Sequence, residues 1–293
     1  MTLGPGEASK NRDTRVMDDL DSLWDFADPH ASEQKFRDFL AKEPANLEAL
    51  TQLARSLGLQ RQFDEASKVL DTVEQNLDTG SSRARVRYLL ERGRTFNSSK
   101  RPDEALPLFN QAVTLAREIG EGGLEIDAMH MVAIADPERS LEVNLEAITR
   151  AEASEDPRAR KWLASLYNNT GWSHFDRGEV LEALTCFEQA VPLREAMGDL
   201  RNLVSAKWCV ARMLRELGRQ GEAVEILQSI LPLNDGDAYI HQELALCYDD
   251  LGVVSMSIEA AKKALEIFST PQWEGAGLAP ILERLRRIAD TND

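Results

Sequence analysis

A series of small residues, Ser32, Ala66, Ala105, Ser140, Ala183, Ala223 and Ser257, recurs along the chain at separations of 34, 39, 35, 43, 40 and 34 positions. A period of this size is the mark of like units added one after another, each burying its apolar face on the next. Twelve residues before these anchors stand Leu20, Ala54, Gly93, Ala128, Gly171, Ala211 and Ala245, six of the seven being Ala or Gly. Two small positions on either side of a turn are what two antiparallel helices require where their axes come close.

The remaining positions agree. Nine before the anchor come Leu23, Leu57, Phe96, Met131, His174, Leu214 and Tyr248, and five before it Gly178, Gly218 and Gly252 mark the last three turns. A helix C-terminus needs a residue tolerant of positive φ at such a place. Apolar residues such as Leu50, Leu53, Ala54 and Leu57, or Ala223, Val224, Leu227, Ile230 and Leu231, follow the helical period. Each unit therefore reads as helix, tight turn, helix. The boundaries fall at 13–46, 47–85, 86–120, 121–163, 164–203, 204–237 and 238–271, and long inserts such as "DTGSSRAR", "GEGGLEID" and "ASEDPRAR" lie between units, where extra helical turns or loops are expected to project from one edge of the stack.

This spacing, the large apolar residue four after the anchor (Phe36, Leu70, Phe109, Phe187, Leu227) and Pro44 in "FLAKEPANLEAL" resemble the tetratricopeptide repeat family over residues 13–271. The longer units, "LYNNTGWSHFDRGEVLEALTCFEQAVPLREAMGD" above all, resemble the variety found in kinesin light chains and bacterial peptide-sensing regulators. The resemblance implies an all-α fold, a right-handed superhelical α-solenoid of about seven helix-turn-helix repeats. Residues 1–12 are expected to be a disordered arm, and 272–293 a linker followed by a capping helix with Ile281, Leu282, Leu285 and Ile288 on one face. Two repeats depart from the pattern: Leu20 replaces a small residue in the first, and Asn144 a Phe or Leu in the fourth.

Fifty acidic against 34 basic residues, a net charge of -16, argue against nucleic acid as a partner, whose phosphates are bound by Lys and Arg. No apolar run approaches the ~18 residues of a membrane span, and Met1 to Arg15 lacks the apolar core of a secretory signal, so a cytoplasmic protein is expected. Cys186, Cys209 and Cys247, an odd number without a C-x-x-C pair, read as helix packing. None of the P-loop, serine-nucleophile or H-E-x-x-H patterns is present, and the four histidines show no ligand spacing. The expectation is therefore no enzyme, no catalytic residue, no metal and no cofactor.

The repeat instead offers a concave surface lined by the first helices of its units. Eleven before the anchors stand Asp21, Arg55, Arg94, Met129, Trp172, Arg212 and Leu246. The flanking columns hold Met17, Thr51, Leu90, Glu125, Asn168, Trp208 and Gln242, then Trp24, Gly58, Asn97, Val132, Phe175, Arg215 and Asp249. Arg55, Arg94, Asn168, Trp172, Phe175, Trp208, Arg212 and Arg215 are the candidate peptide-binding residues. Aromatic faces supply rigid apolar area, and guanidinium groups grip carboxylates bidentately. The resemblance further implies that Asn168, in "LYNNTGW", hydrogen-bonds the backbone of a bound extended peptide. Two alternatives stand beside a scaffold for an acidic or carboxylate-bearing segment of a partner protein. One is a homodimer formed through the ends of the stack and the Trp24 and Trp273 regions; the other is a peptide-sensing subunit of a regulatory complex. Burial of Trp172 and Trp208 between helices, with arginines only balancing surface acid, is the reading without a binding site.

Overall fold

Short turns join helices that each bury one stripe of apolar residues against the next, and the repeat positions decide how closely they meet. A computed structural model describes residues 20–273 and 278–291. The expected arm at 1–12, the groove position Met17 and most of the linker after Trp273 lie outside these residues. The chain divides into two compact units, Met1–Trp162 and Leu163–Asp293.

In the first unit the helices are α1 (Pro29–Leu40), α2 (Leu47–Leu59), α3 (Phe63–Glu74), α4 (Ser82–Ser98), α5 (Pro102–Glu118), α6 (Gly122–Ala135), α7 (Ser140–Ala153) and the single turn α8 (Pro157–Arg160). The second holds α9 (Leu163–Asp176), α10 (Val180–Met197), α11 (Leu200–Glu216), α12 (Gln220–Ile230), α13 (Ala238–Asp250), α14 (Val254–Phe268) and α15 (Ala279–Ala289). No strand occurs among the described residues, and no described helix is long and apolar enough to cross a membrane. Within each unit, helices consecutive in sequence pack on one another, as in an α-solenoid, and α15 covers α14 and α13 with Leu285 and Ile288 buried.

The recurring small residue has a specific neighbour. Gly171 on α9 lies under the ring of Phe187 on α10, where a Cβ would sit 2.8 Å from two ring carbons, and Gly93 on α4 lies in the same way under Phe109 on α5. Phe36, Leu70, Phe109, Phe187 and Leu227, four after the anchors, are all fully buried. Asn144 fills the same place in the fourth repeat and is buried too, its amide donating to Ser140 at 3.3 Å while Oδ1 makes no hydrogen bond.

The tight turns share one geometry. In five repeats the backbone N–H four before the anchor donates to the carbonyl nine before it, as from Glu179 to His174 at 3.0 Å and from Arg219 to Leu214 at 2.9 Å. This closing bond requires a left-handed residue in between. Gly178, Gly218 and Gly252 have φ of 77°, 76° and 71°, and Arg61 and Lys100 take 62° and 61° at the equivalent places. Residues 122–127 of "GEGGLEID" are the first turns of α6, and "ASEDPRAR" ends in the single turn α8, which packs on α6 with Ala159 buried. In the first repeat the helix before Ser32 ends near Asp21, and residues 22–27 turn so that Trp24 stacks on Phe26 at 4.7 Å.

Gly171→Ala should lower stability by ~1–3 kcal/mol, because the ring beneath it is held on all sides. Lys100→Gly should raise it by roughly 0.5 kcal/mol, since glycine adopts positive φ without steric cost and gives back part of the gain as unfolded-chain entropy. Urea unfolding of each variant against the parent measures both signs.

Candidate functional site

Four candidate arginines differ in what surrounds them. In the first unit Arg55 on α2 and Arg94 on α4 converge on Glu91, with Arg94 Nη1 donating to Glu91 at 2.5 Å and Arg55 Nη1 at 3.5 Å. Arg94 also donates to Asp127 on α6. Burial pushes the Asp127 carboxyl up, but Arg94 and Arg55 pull it down more strongly, and it lies below the ordinary carboxylate range. His130, one turn further on α6, is held below the usual imidazole value by burial and by these arginines, against the pull of Asp127. Arg55 in addition faces the Trp24 and Phe26 rings at 5.9 and 6.0 Å. Arg94 is thus bound on two sides by acids of its own unit.

In the second unit Trp172 and Phe175 share one face of α9, three residues apart, and Trp208 and Arg212 share one face of α11, four apart. The Arg212 guanidinium carbon lies 5.4, 4.9 and 5.5 Å from the ring centroids of Trp172, Phe175 and Trp208. All four side chains are half-buried. Arg212 has no carboxylate partner among the described residues, and its Nε–H is buried without a hydrogen bond. Asn168, one turn before Trp172, gives its amide to Asn169 in a long 3.4 Å bond. Arg215 is engaged differently: it donates to Glu243 and to Glu216, each at 2.7 Å, and Glu243 is itself buried.

The aromatic contacts continue beyond Arg212. Trp172 meets Trp208 at 6.3 Å, Trp208 meets Tyr239 at 5.8 Å, and Tyr239 meets Trp273 at 5.3 Å, with Phe268 against both of the last two. The Trp208 indole donates to the Tyr239 carbonyl at 3.1 Å. That bond fixes the ring while leaving part of it in solvent.

Tetratricopeptide repeat family profiles match residues 51–118 and 163–197. These two stretches are tetratricopeptide repeats. No curated protein matches its sequence. Among solved structures it is similar to a signal transduction ATPase with a tetratricopeptide repeat sensor from Pyrococcus horikoshii, at 13% identity and a TM-score of 0.68 over 89% of this chain. It spans 42% of the length of that protein. It is also similar to BtubC (BKLC) from P. vanneervenii, at 17% identity and a TM-score of 0.55, over 74% of this chain and 91% of that one. At these identities the likeness is one of fold.

Among the described residues the three inner columns are not uniformly open. Thr51, Leu90, Met129, Val132, Gln242 and Leu246 are buried, because neighbouring helices close over them. Sequence reasoning also missed the acids that occupy Arg94 and Arg215. It passed over Arg83, Arg87 and Glu91, which follow one another at four-residue spacing along one face of α4; that spacing was the available signal. His174 accepts its place beside the turn through a 2.6 Å contact with Glu179, and burial pushes the Cys209 and Cys247 thiols up to about 12, as suits packed cysteines.

Asp127→Asn should destabilise the protein by about 2–3 kcal/mol, since it leaves Arg94 and Arg55 short of one buried counter-charge. The sign of the pH dependence follows from the lowered value. The stability Asp127 contributes is complete above about pH 4, where the unfolded side chain ionises, and is lost as pH falls through its folded value. The parent and variant stability curves should therefore converge in acid, as measured by urea unfolding between neutral and low pH.

Proposed function

We propose that this protein is a non-enzymatic scaffold whose second unit binds an acidic peptide segment of a partner on the face formed by α9 and α11. Tetratricopeptide repeats and the solenoid packing of each unit support a role in protein interaction. The observation that carries the finer reading is Arg212: a guanidinium seated on three aromatic rings, with no acid beside it and one buried N–H unsatisfied. In a chain of net charge -16, carboxylates are plentiful, and the other groove arginine of this unit, Arg215, has two. An arginine left without one is arranged for a carboxylate from outside. Trp172, Phe175 and Trp208 would give that segment apolar area at little entropic cost, and the Asn168 amide stands one turn away to meet its backbone. Arg55 and Arg94 belong to the other unit and have internal acids, so they are not part of this contact.

A sensor role is the second reading, favoured by the likeness to the P. horikoshii protein, whose repeats are described as a sensor. It uses the same face, with a signalling peptide in place of a protein partner.

Fluorescence anisotropy with labelled Glu- and Asp-rich peptides that carry one aromatic residue tests the contact. Arg212→Gln should weaken binding about tenfold or more, in keeping with the ~1.5–3 kcal/mol of a hydrogen bond to a charged group. Trp208→Ala should weaken it by a similar factor, with helicity retained in both. Equal affinity in the parent and both variants would remove the site.

A further inference from the structure

The first unit holds a cavity of about 380 Å³ whose charge is opposite to that of the chain. Six cationic side chains line it against four carboxylates, although the protein carries a net -16. Several of those cations are occupied. Arg94 and Arg55 share Glu91 and Asp127 as described above, and Arg158 is held by Asp156 at 3.0 Å. Arg83 and Arg87 are the exceptions. They project from the first two turns of α4, are only 8% and 9% exposed, and face the cavity.

Their neighbours attract them without bonding to them. Glu48 lies 3.6 Å from Arg83 and 3.5 Å from Arg87, Glu121 lies 3.9 Å from Arg83, and Asp21 lies 3.8 Å from Arg87. No hydrogen bond results at any of these separations. Nε and Nη2 of Arg83 and Nε of Arg87 are buried with no acceptor. Charged donors are rarely left so in a protein interior, and a group with several lone pairs placed among them would satisfy them together. Lys161, at the rim, is exposed and has no ion pair among the described residues.

Three aromatic rings line the cavity beside Gln52, Gly123 and Leu124. Phe26 is 64% exposed and stacks parallel on Trp24, and Trp162 faces the same cavity. An exposed Phe26 ring stacked on a half-buried Trp24 beside a cationic recess suits a flat ligand that carries an oxyanion. The volume is that of a small molecule.

We propose that this cavity binds a small aromatic oxyanion, a phosphate or carboxylate attached to a planar ring, with the anion on Arg83, Arg87 and Lys161 and the ring against Trp24 and Phe26. This is a second site, separate in residues and in ligand from the peptide face on α9 and α11.

Isothermal titration of the full chain with phenyl phosphate, benzoate and inorganic phosphate, each at matched ionic strength in sodium chloride, tests it. Saturable binding of phenyl phosphate or benzoate is expected, with inorganic phosphate at least several-fold weaker because it lacks the ring. The stronger of the two ring-bearing probes identifies the anionic group. Lys161→Glu, an exposed change that leaves the fold intact, should weaken binding at least tenfold; Arg87→Gln should do the same, and Arg212→Gln should leave it unaltered. Absence of saturable binding for all three probes, as when buried water alone fills the recess, would overturn the proposal. So would binding that both Lys161→Glu and Arg87→Gln leave unchanged.

Discussion

Everything in this architecture depends on a large side chain lying flat on a residue that has almost none. Gly171 under Phe187 and Gly93 under Phe109 bring the two helices of a repeat together, so the ring fills the space a Cβ would have taken. Dispersion contacts of this kind are individually weak and fall off steeply with distance, so they reward close approach above all. The left-handed turn then holds the two helices in that approach, since the N–H-to-carbonyl bond across it closes only in one backbone geometry. Once the pair is set, its outer faces are determined, and the next pair can only add to them.

Charge is spent unevenly on that frame. In the first unit the arginines of α2 and α4 are woven into acids from α4 and α6, which places fixed charge between repeats and makes their packing specific. In the second unit the corresponding place is aromatic, and the Arg212 guanidinium rests on rings instead of carboxylates. Ion pairs specify partners by sign, whereas ring stacking tolerates many of them. The two units therefore present chemically different inner faces although they repeat the same backbone.

Much of this was legible in the sequence because it concerns the backbone. The period, the small residues and the three turn glycines each answer a requirement of helix approach or of φ, and such requirements leave few residue choices. Arg61 and Lys100 escaped notice at the same turn because they are not glycine, yet the turn bond is made all the same. In "GEGGLEID" two adjacent glycines suggest a break, yet α6 begins at the first of them. The candidate site was legible only in part. Trp172, Phe175, Trp208 and Arg212 do come together, because helical spacing within α9 and α11 fixes who shares a face. The engagement of Arg94 by Asp127 and of Arg215 by Glu243 depends on residues about thirty positions away, in the next repeat, where small differences in axis separation decide which side chains meet. Spacing along one helix carries no record of that.

The row of rings from Phe175 through Trp172, Trp208 and Tyr239 to Trp273 has an optical consequence. Three of the five tryptophans of the protein belong to it, with successive aromatic centroids 5.3 to 6.3 Å apart. Chromophores so close exchange excitation, and their combined near-ultraviolet circular dichroism depends on the angles between them. The second unit thus carries its own reporter: a small rotation of one indole alters the signal of the whole row, without any label being attached.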